Sequence, residues 1–111
     1  MLLYYKCFLL YRFIYWSDWG RDPKIERARY NGTDRQTLIS TDIQWPNGLA
    51  LDLAERTLYW CDAKKQRIER VNFNGTNRTI IISDIPHPFG LSLLGKYQKS
   101  FLCAVNPNFT K

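Results

Sequence analysis

Four short runs of apolar, β-branched and aromatic residues follow one another through the middle of the chain: Leu49–Leu53, Thr57–Asp62, Arg67–Phe73 and Arg78–Ser83. Such runs, broken by polar and glycine-containing stretches, predict strands. Within the third run, Glu69, Val71 and Phe73 fall on one side of a pleated strand, and Ile68, Arg70 and Asn72 on the other. The segment before it shows the same alternation through Ile25, Ala28 and Tyr30. An Asn-Gly pair separates the third and fourth runs and recurs earlier as Asn31-Gly32. It predicts a two-residue hairpin turn in which both central residues take positive φ. No stretch holds a helical period long enough to compete. The expectation is an all-β chain.

The runs belong to a duplication. Tyr15-Trp16-Ser17-Asp18 recurs as Tyr59-Trp60-Cys61-Asp62, and Lys24-Ile25-Glu26-Arg27 as Arg67-Ile68-Glu69-Arg70. Asn31-Gly32-Thr33 recurs as Asn74-Gly75-Thr76, and Trp45-Pro46-Asn47-Gly48-Leu49 is echoed by His87-Pro88-Phe89-Gly90-Leu91. The offsets are 44, 43, 43 and 42 residues, so the repeats stay in step within single-residue slips. A period in the low forties fits either a helical array or a propeller blade, and four short antiparallel strands per repeat select the blade.

These motifs resemble the class B repeat of low-density lipoprotein receptors, named for its YWTD motif. Tyr15-Trp-Ser-Asp-Trp-Gly20, Pro23-Lys-Ile-Glu-Arg27, Trp45-Pro-Asn-Gly-Leu49 and Pro86-His-Pro-Phe-Gly90 carry the likeness. The last two are most similar to the receptor-related proteins that act as Wnt co-receptors. The resemblance implies a six-bladed propeller in the ectodomain of a single-pass membrane protein, of which this chain is a fragment of about two repeats. It divides the chain into an apolar, non-matching segment (1–12), propeller repeats (13–97) and a divergent tail (98–111). Within the repeats, 13–47 is a partial blade, 48–83 a full one and 84–97 the start of the next. The apolar stretch Leu2–Leu10 is a candidate first strand for the partial blade. After Tyr97 a third YWTD motif is expected, yet the sequence reads Gln98-Lys-Ser-Phe-Leu102. A ring that does not close leaves strand edges unpaired and aromatic residues uncovered. Since a fully buried Tyr or Trp contributes very roughly 2–3 kcal/mol, the isolated chain is expected to be marginally stable.

The formal charge of +6 raises a nucleic-acid reading that its distribution removes. Between Phe13 and Gly95 there are eleven Lys/Arg against ten Asp/Glu; the other five basic residues (Lys6, Arg12, Lys96, Lys99 and Lys111) lie towards the ends. Three cysteines, Cys7, Cys61 and Cys103, allow at most one internal bridge, and their spacing selects none. Cys61 reads as an unpaired, semi-buried thiol in place of Thr or Ser. The amino terminus lacks a basic stretch before its apolar run and a small-residue cleavage site, so it reads poorly as a signal peptide. It is also too short to span a bilayer.

Tyr15, Trp16 and Asp18, like Tyr59, Trp60 and Asp62, could suggest an aromatic-carboxylate site. A residue repeated in every blade is architectural, however, and the aspartates are expected to accept backbone hydrogen bonds. His87, the only histidine, has no second His or Cys beside it and reads as a turn residue. No catalytic residue, metal or cofactor is expected, so the chain is not read as an enzyme. Trp45 and Asn47 are the candidate ligand-binding residues. They lie in the loop leading to an innermost strand, and an aromatic face beside an amide makes a good protein-binding spot. In the resembled co-receptors the matching positions form a surface that binds short Asn-x-Ile ligand segments. Arg21, Lys24 and Arg27 are candidates for the same surface. Sequons stand at Asn31, Asn74, Asn77 and Asn108. The resulting expectation is part of a receptor propeller on the extracellular side of the plasma membrane. Its partners are secreted proteins of Wnt-pathway type, with no nucleic acid or small-molecule substrate, and it meets a membrane only through other parts of a parent protein. A matrix propeller of the nidogen type is the alternative. An incomplete gene product with no independent function is another.

Overall fold

The computed structural model describes residues 3–8, 12–95 and 100–105 of the 111-residue chain. Ten strands follow one another: β1 (Leu3–Phe8), β2 (Phe13–Asp18), β3 (Lys24–Arg29), β4 (Gln36–Ile39), β5 (Pro46–Asp52), β6 (Thr57–Asp62), β7 (Arg67–Asn72), β8 (Thr79–Ile82), β9 (Pro88–Leu94) and β10 (Ser100–Val105). They form three antiparallel sheets in chain order, β1-β2-β3-β4, β5-β6-β7-β8 and β9-β10. The first strand of each sheet lies innermost, with β5 against both β1 and β9. The molecule is a partial propeller.

The first sheet has its full complement of strands. The amino-terminal segment carries no repeat motif, yet Leu3–Phe8 pairs residue for residue with β2, from Leu3 opposite Asp18 to Phe8 opposite Phe13. Strand pairing is made by backbone groups, so an apolar stretch of the right length can occupy the position without the motif.

The divergent tail behaves the same way. Leu49 faces Trp60 across the second sheet, and its counterpart Leu91 faces Cys103 across the third. That register sets Leu102-Cys103-Ala104-Val105 where Tyr59-Trp60-Cys61-Asp62 stand one blade earlier. The strand survives although every motif residue has changed, because alternation is kept: Phe101 and Cys103 turn towards the second sheet, and Leu102 is 63% exposed.

Two apolar layers hold the sheets together. Between the first and second lie Tyr15, Ile25, Leu38, Ile39 and Ile43 against Leu49, Leu58, Trp60, Val71 and Phe73. Between the second and third lie Ala50, Tyr59, Cys61 and Ile68 against Leu91, with Phe101 and Cys103 alongside. Tyr59 and Trp60 therefore serve opposite neighbours. Successive side chains of a strand point to opposite faces, and here both faces are covered. All six residues of β6 are buried.

The outermost strands show what this covering does. Ile39 lies opposite Ile25 in the first sheet and Ile82 opposite Ile68 in the second, so the two positions are equivalent. Leu38 and Ile39 are buried against the second sheet, whereas Ile80, Ile81 and Ile82 are 50%, 36% and 40% exposed. Among the described residues the third sheet contributes two strands, against four in each of the others.

Two local expectations are corrected. Tyr30 does not continue an inward alternation from Ile25 and Ala28; it is 59% exposed, since β3 ends at Arg29 and the chain turns there. The Asn-Gly turns are not two-residue hairpins with positive φ at both positions. Gly32 N–H donates to the Arg29 carbonyl at 2.8 Å, and φ is positive at Gly32 (+86°) but not at Asn31. Gly75 (+88°) repeats this on the Asn72 carbonyl. A turn followed by a glycine bulge makes a wider connection, of the kind longer hairpins use.

Candidate functional site

Strand direction fixes which loops share an edge. Asp18, Lys24, Ile39, Pro46, Asp62, Arg67 and Ile82 end or begin strands at one edge of the first two sheets, so loops 19–23, 40–45, 63–66 and 83–87 emerge together. Trp45 lies in the second of these. Its ring is half-buried, 5.9 Å from that of Trp19, with the Lys64 ammonium 5.3 Å from its centre. The Trp19 indole Nε1 has no hydrogen-bond partner among the described residues.

The loop carrying Trp45 is held from beneath by Asp62. This fully buried carboxylate accepts from the backbone N–H of Gln44 (2.9 Å), Trp45 (3.1 Å), Lys64 (3.0 Å) and Lys65 (3.0 Å). It ties the incoming loop to the β6–β7 turn, as its repeated occurrence predicts. Asp18, half-buried, accepts from Gly20 N–H at 3.0 Å and shows no second donor among the described residues.

A second clamp acts on the same loop from outside. Asp42 receives the Lys65 ammonium and the Arg67 guanidinium on its two oxygens, each at 2.8 Å. Hydrogen bonds from these two cations pull its carboxyl down from an ordinary value of 3.8 to about 2. Arg78 donates to the carbonyls of Thr41 (2.6 Å) and Asp42 (2.8 Å), joining the fourth strand of one blade to the connection from the blade before.

Asn47 does not stand beside Trp45 at the surface. It is 6% exposed, and its Oδ1 accepts from the Cys61 thiol at 3.1 Å. Pro46 and the bulge at Gly48 carry the chain straight into the innermost strand, so the amide turns inward. Cys61 is fully buried, more so than the semi-buried position expected. Burial pushes its thiol up to about 12. Cys61 and Cys103 are both free thiols.

Arg21 and Lys24 share the Trp45 edge, but Arg27 points to the opposite one. There a cleft of about 440 Å³ opens between the first two sheets, floored by Phe13, Tyr15 and Phe73, with Arg27, Glu55 and Asn74 among the residues lining it. The Arg27 guanidinium lies 4.7 Å from the centre of the Phe13 ring and donates to Gln36 at 3.1 Å.

Two buried carboxylates escaped the sequence reading. Glu26 and Glu69 are 4% and 2% exposed. Arg35 grips Glu26 with two hydrogen bonds of 3.0 and 2.9 Å and lies over the Trp16 ring at 5.6 Å; Arg78 does the same for Glu69 (2.8 and 3.2 Å) over Trp60 at 5.4 Å. The Arg35 hydrogen bond holds the Glu26 carboxyl below its ordinary value. The available signal was a Glu followed nine residues later by an Arg in both repeats.

His87, 9% exposed with φ +42°, sits between Pro86 and Pro88 where the chain enters β9, as a turn residue should. Among the described residues no group of three or more His, Cys, Asp or Glu could hold a metal ion, and no helix is long and apolar enough to cross a membrane. The sequons differ. In Asn31 and Asn74 the side-chain oxygen accepts both the N–H and the hydroxyl of the Thr two residues on. At Asn77 the Thr79 hydroxyl donates instead to the backbone carbonyl. Asn108 lies outside the described residues.

Known proteins place these features. Residues 12–53 and 56–93 match the family described as low-density lipoprotein receptor repeat class B. The human low-density lipoprotein receptor-related protein 5-like protein is 44% identical over 84 residues, covering 75% of this chain and 33% of that protein. The Drosophila melanogaster vitellogenin receptor Yl is 40% identical over 81 residues, covering 72% of this chain and 4% of the receptor. Among solved structures, a chain of the nidogen/laminin complex superposes with a TM-score of 0.77 at 32% identity, over 84% of this chain and 36% of that one. The chain thus spans about a third or less of each of these proteins. Its repeated Tyr-Trp-x-Asp strands, the loop clamped by Asp62 and the matched segments agree: the chain belongs to the low-density lipoprotein receptor class B repeat family.

Proposed function

We propose that this chain is part of an extracellular ligand-binding receptor propeller that recognises secreted proteins through the loop edge bearing Trp45. The observation that carries the reading is Trp45, packed beside Trp19 and set on a loop that two acidic clamps immobilise. A rigid aromatic surface loses little entropy on binding, and Trp is the residue most often dominant in such contacts. Lys64 and Arg21 add positive charge at the rim. Asn47 acts from within: its hydrogen bond to Cys61 fixes the turn that presents Trp45.

The likeness of Trp45-Pro-Asn-Gly-Leu49 and Pro86-His-Pro-Phe-Gly90 to motifs of Wnt co-receptors favours a ligand of the Wnt pathway, an antagonist or a signalling protein. The nidogen neighbour supports a second reading, a matrix propeller that holds a structural partner. Neither reading calls for catalysis, and the relatives named above are receptors and repeat proteins. Binding of the chain to an immobilised Asn-x-Ile peptide and to a laminin fragment separates the two. Saturable binding to the peptide alone supports the receptor reading, and binding to laminin alone supports the matrix reading. Binding to neither refutes both.

A further inference from the structure

We propose that Asn74 carries an N-linked glycan whose first sugars lie in the cleft between the first two sheets and bridge them. The inference rests on the extracellular placement proposed above. Asn74 is itself part of the cleft wall, so a sugar attached there starts at the mouth. The floor is aromatic: the Tyr15 ring is 6.5 Å from that of Phe13 and 5.2 Å from that of Phe73. The electron-rich face of an aromatic ring attracts the weakly positive C–H face of a pyranose, as it attracts other electropositive groups. At the rim, Arg27 offers donors and Glu55 acceptors to hydroxyls. The volume, about 440 Å³, lies in the range of small-ligand sites.

The acceptor is already arranged. Thr76 N–H and hydroxyl donate to Asn74 Oδ1 at 3.1 and 2.6 Å, which leaves the amide nitrogen out of that turn. In the transfer, that nitrogen forms a bond to the anomeric carbon of a lipid-diphosphate-linked oligosaccharide. The carbon's bond to the diphosphate oxygen breaks, the amide gives up one proton, and the lipid diphosphate leaves. Asn31 serves as an internal control. Its turn has the same two hydrogen bonds (3.1 and 2.7 Å), but a methyl placed on Gly32 would meet nothing within 4 Å, whereas one placed on Gly75 would stand 3.7 Å from the Leu38 carbonyl oxygen. One glycan points to solvent and the other begins against the neighbouring sheet.

The test is to direct the full chain through the secretory pathway of cultured animal cells, map its glycopeptides by mass, and time release by a glycan-removing amidase under native conditions. The expected result is sugar on both asparagines, with release at Asn74 about tenfold slower or more than at Asn31, a difference worth about 1.4 kcal/mol. After denaturation the rates should match. Glu55→Ala, at an exposed rim position, should speed native release at Asn74 and leave Asn31 unchanged. Equal native rates, or sugar on Asn31 alone, overturn the inference but not the extracellular reading. Sugar on neither asparagine overturns both.

Discussion

Asp62→Ala is the substitution with the most calculable outcome. The carboxylate is fully buried and accepts four backbone N–H groups at 2.9–3.1 Å, two from the loop entering β5 and two from the turn leaving β6. A hydrogen bond to a charged group contributes about 1.5–3 kcal/mol net, and a buried donor left unpaired costs about 1–3 kcal/mol. Alanine supplies no acceptor. Water can reach the exposed turn at Lys64 but not all four donors, so a loss of about 3–5 kcal/mol follows. That is a large share of the roughly 5–15 kcal/mol of a whole domain. Asp18→Ala removes an acceptor with one described donor, Gly20 N–H, from a half-buried site, and should cost about 1 kcal/mol. Urea unfolding followed by tryptophan fluorescence, in a sulfate buffer that favours the compact state, reads both. If the two substitutions shift the midpoint equally, Asp62 does not act as the hub described.

Three further outcomes follow from the same geometry. Asp42, lowered to about 2 by Lys65 and Arg67, favours the folded state wherever it is ionised there. Its contribution is fully present above the ordinary value of 3.8 and is lost as pH falls towards 2; an acid titration of Asp42→Asn should lack that component, and high salt should shrink it in the parent. Cys61, raised to about 12, favours the folded state below its ordinary value of 9.0, and this is lost as pH rises towards 12. Alkylation at pH 8, mapped by peptide mass, should be on the order of a hundredfold slower at Cys61 in the folded chain than in urea; similar rates would refute its burial. Gly48→Ala should destabilise by about 3 kcal/mol or more: the added methyl would stand 2.8 Å from Cys61 Sγ, 2.9 Å from Leu91 N and 3.0 Å from Gly90 C, at φ +28°, forcing the second and third sheets apart. Gly32→Ala meets nothing within 4 Å and should cost about 1 kcal/mol, from its φ of +86° alone; equal thermal shifts for the two would count against the close approach.

The residues that recur made the fold readable. Tyr59, Trp60 and Asp62 occupy equivalent places to Tyr15, Trp16 and Asp18, and their spacing announced blades before any sheet was seen. What could not be read depends on which neighbour covers a face. Ile81 and Leu38 are the same kind of residue at the same place in their blades, yet one is exposed and the other buried. Asn47 was misplaced because a polar amide after Pro normally marks a solvated turn; here the Gly48 bulge and the Cys61 thiol draw it inside. In the sequence Glu26 and Glu69 stand as ordinary polar members of a strand. Their burial becomes sensible only once Arg35 and Arg78, nine residues on, fold back across the hairpin to neutralise them. The tail was set aside for its missing motif, and it forms β10 all the same. With Val105 at the place of Asp62, no carboxylate is available there to hold the loop that carries His87.

The most direct test of the functional account is the affinity of Trp45→Ala for an Asn-x-Ile peptide, measured beside its urea midpoint. Trp45 presents a half-buried ring on a loop whose anchors, Asp62 and Asp42, the substitution leaves in place. The account predicts a loss of about 2 kcal/mol or more in binding, near thirtyfold, with the midpoint little changed. An affinity equal to that of the parent chain would contradict it and remove this loop edge from the binding surface.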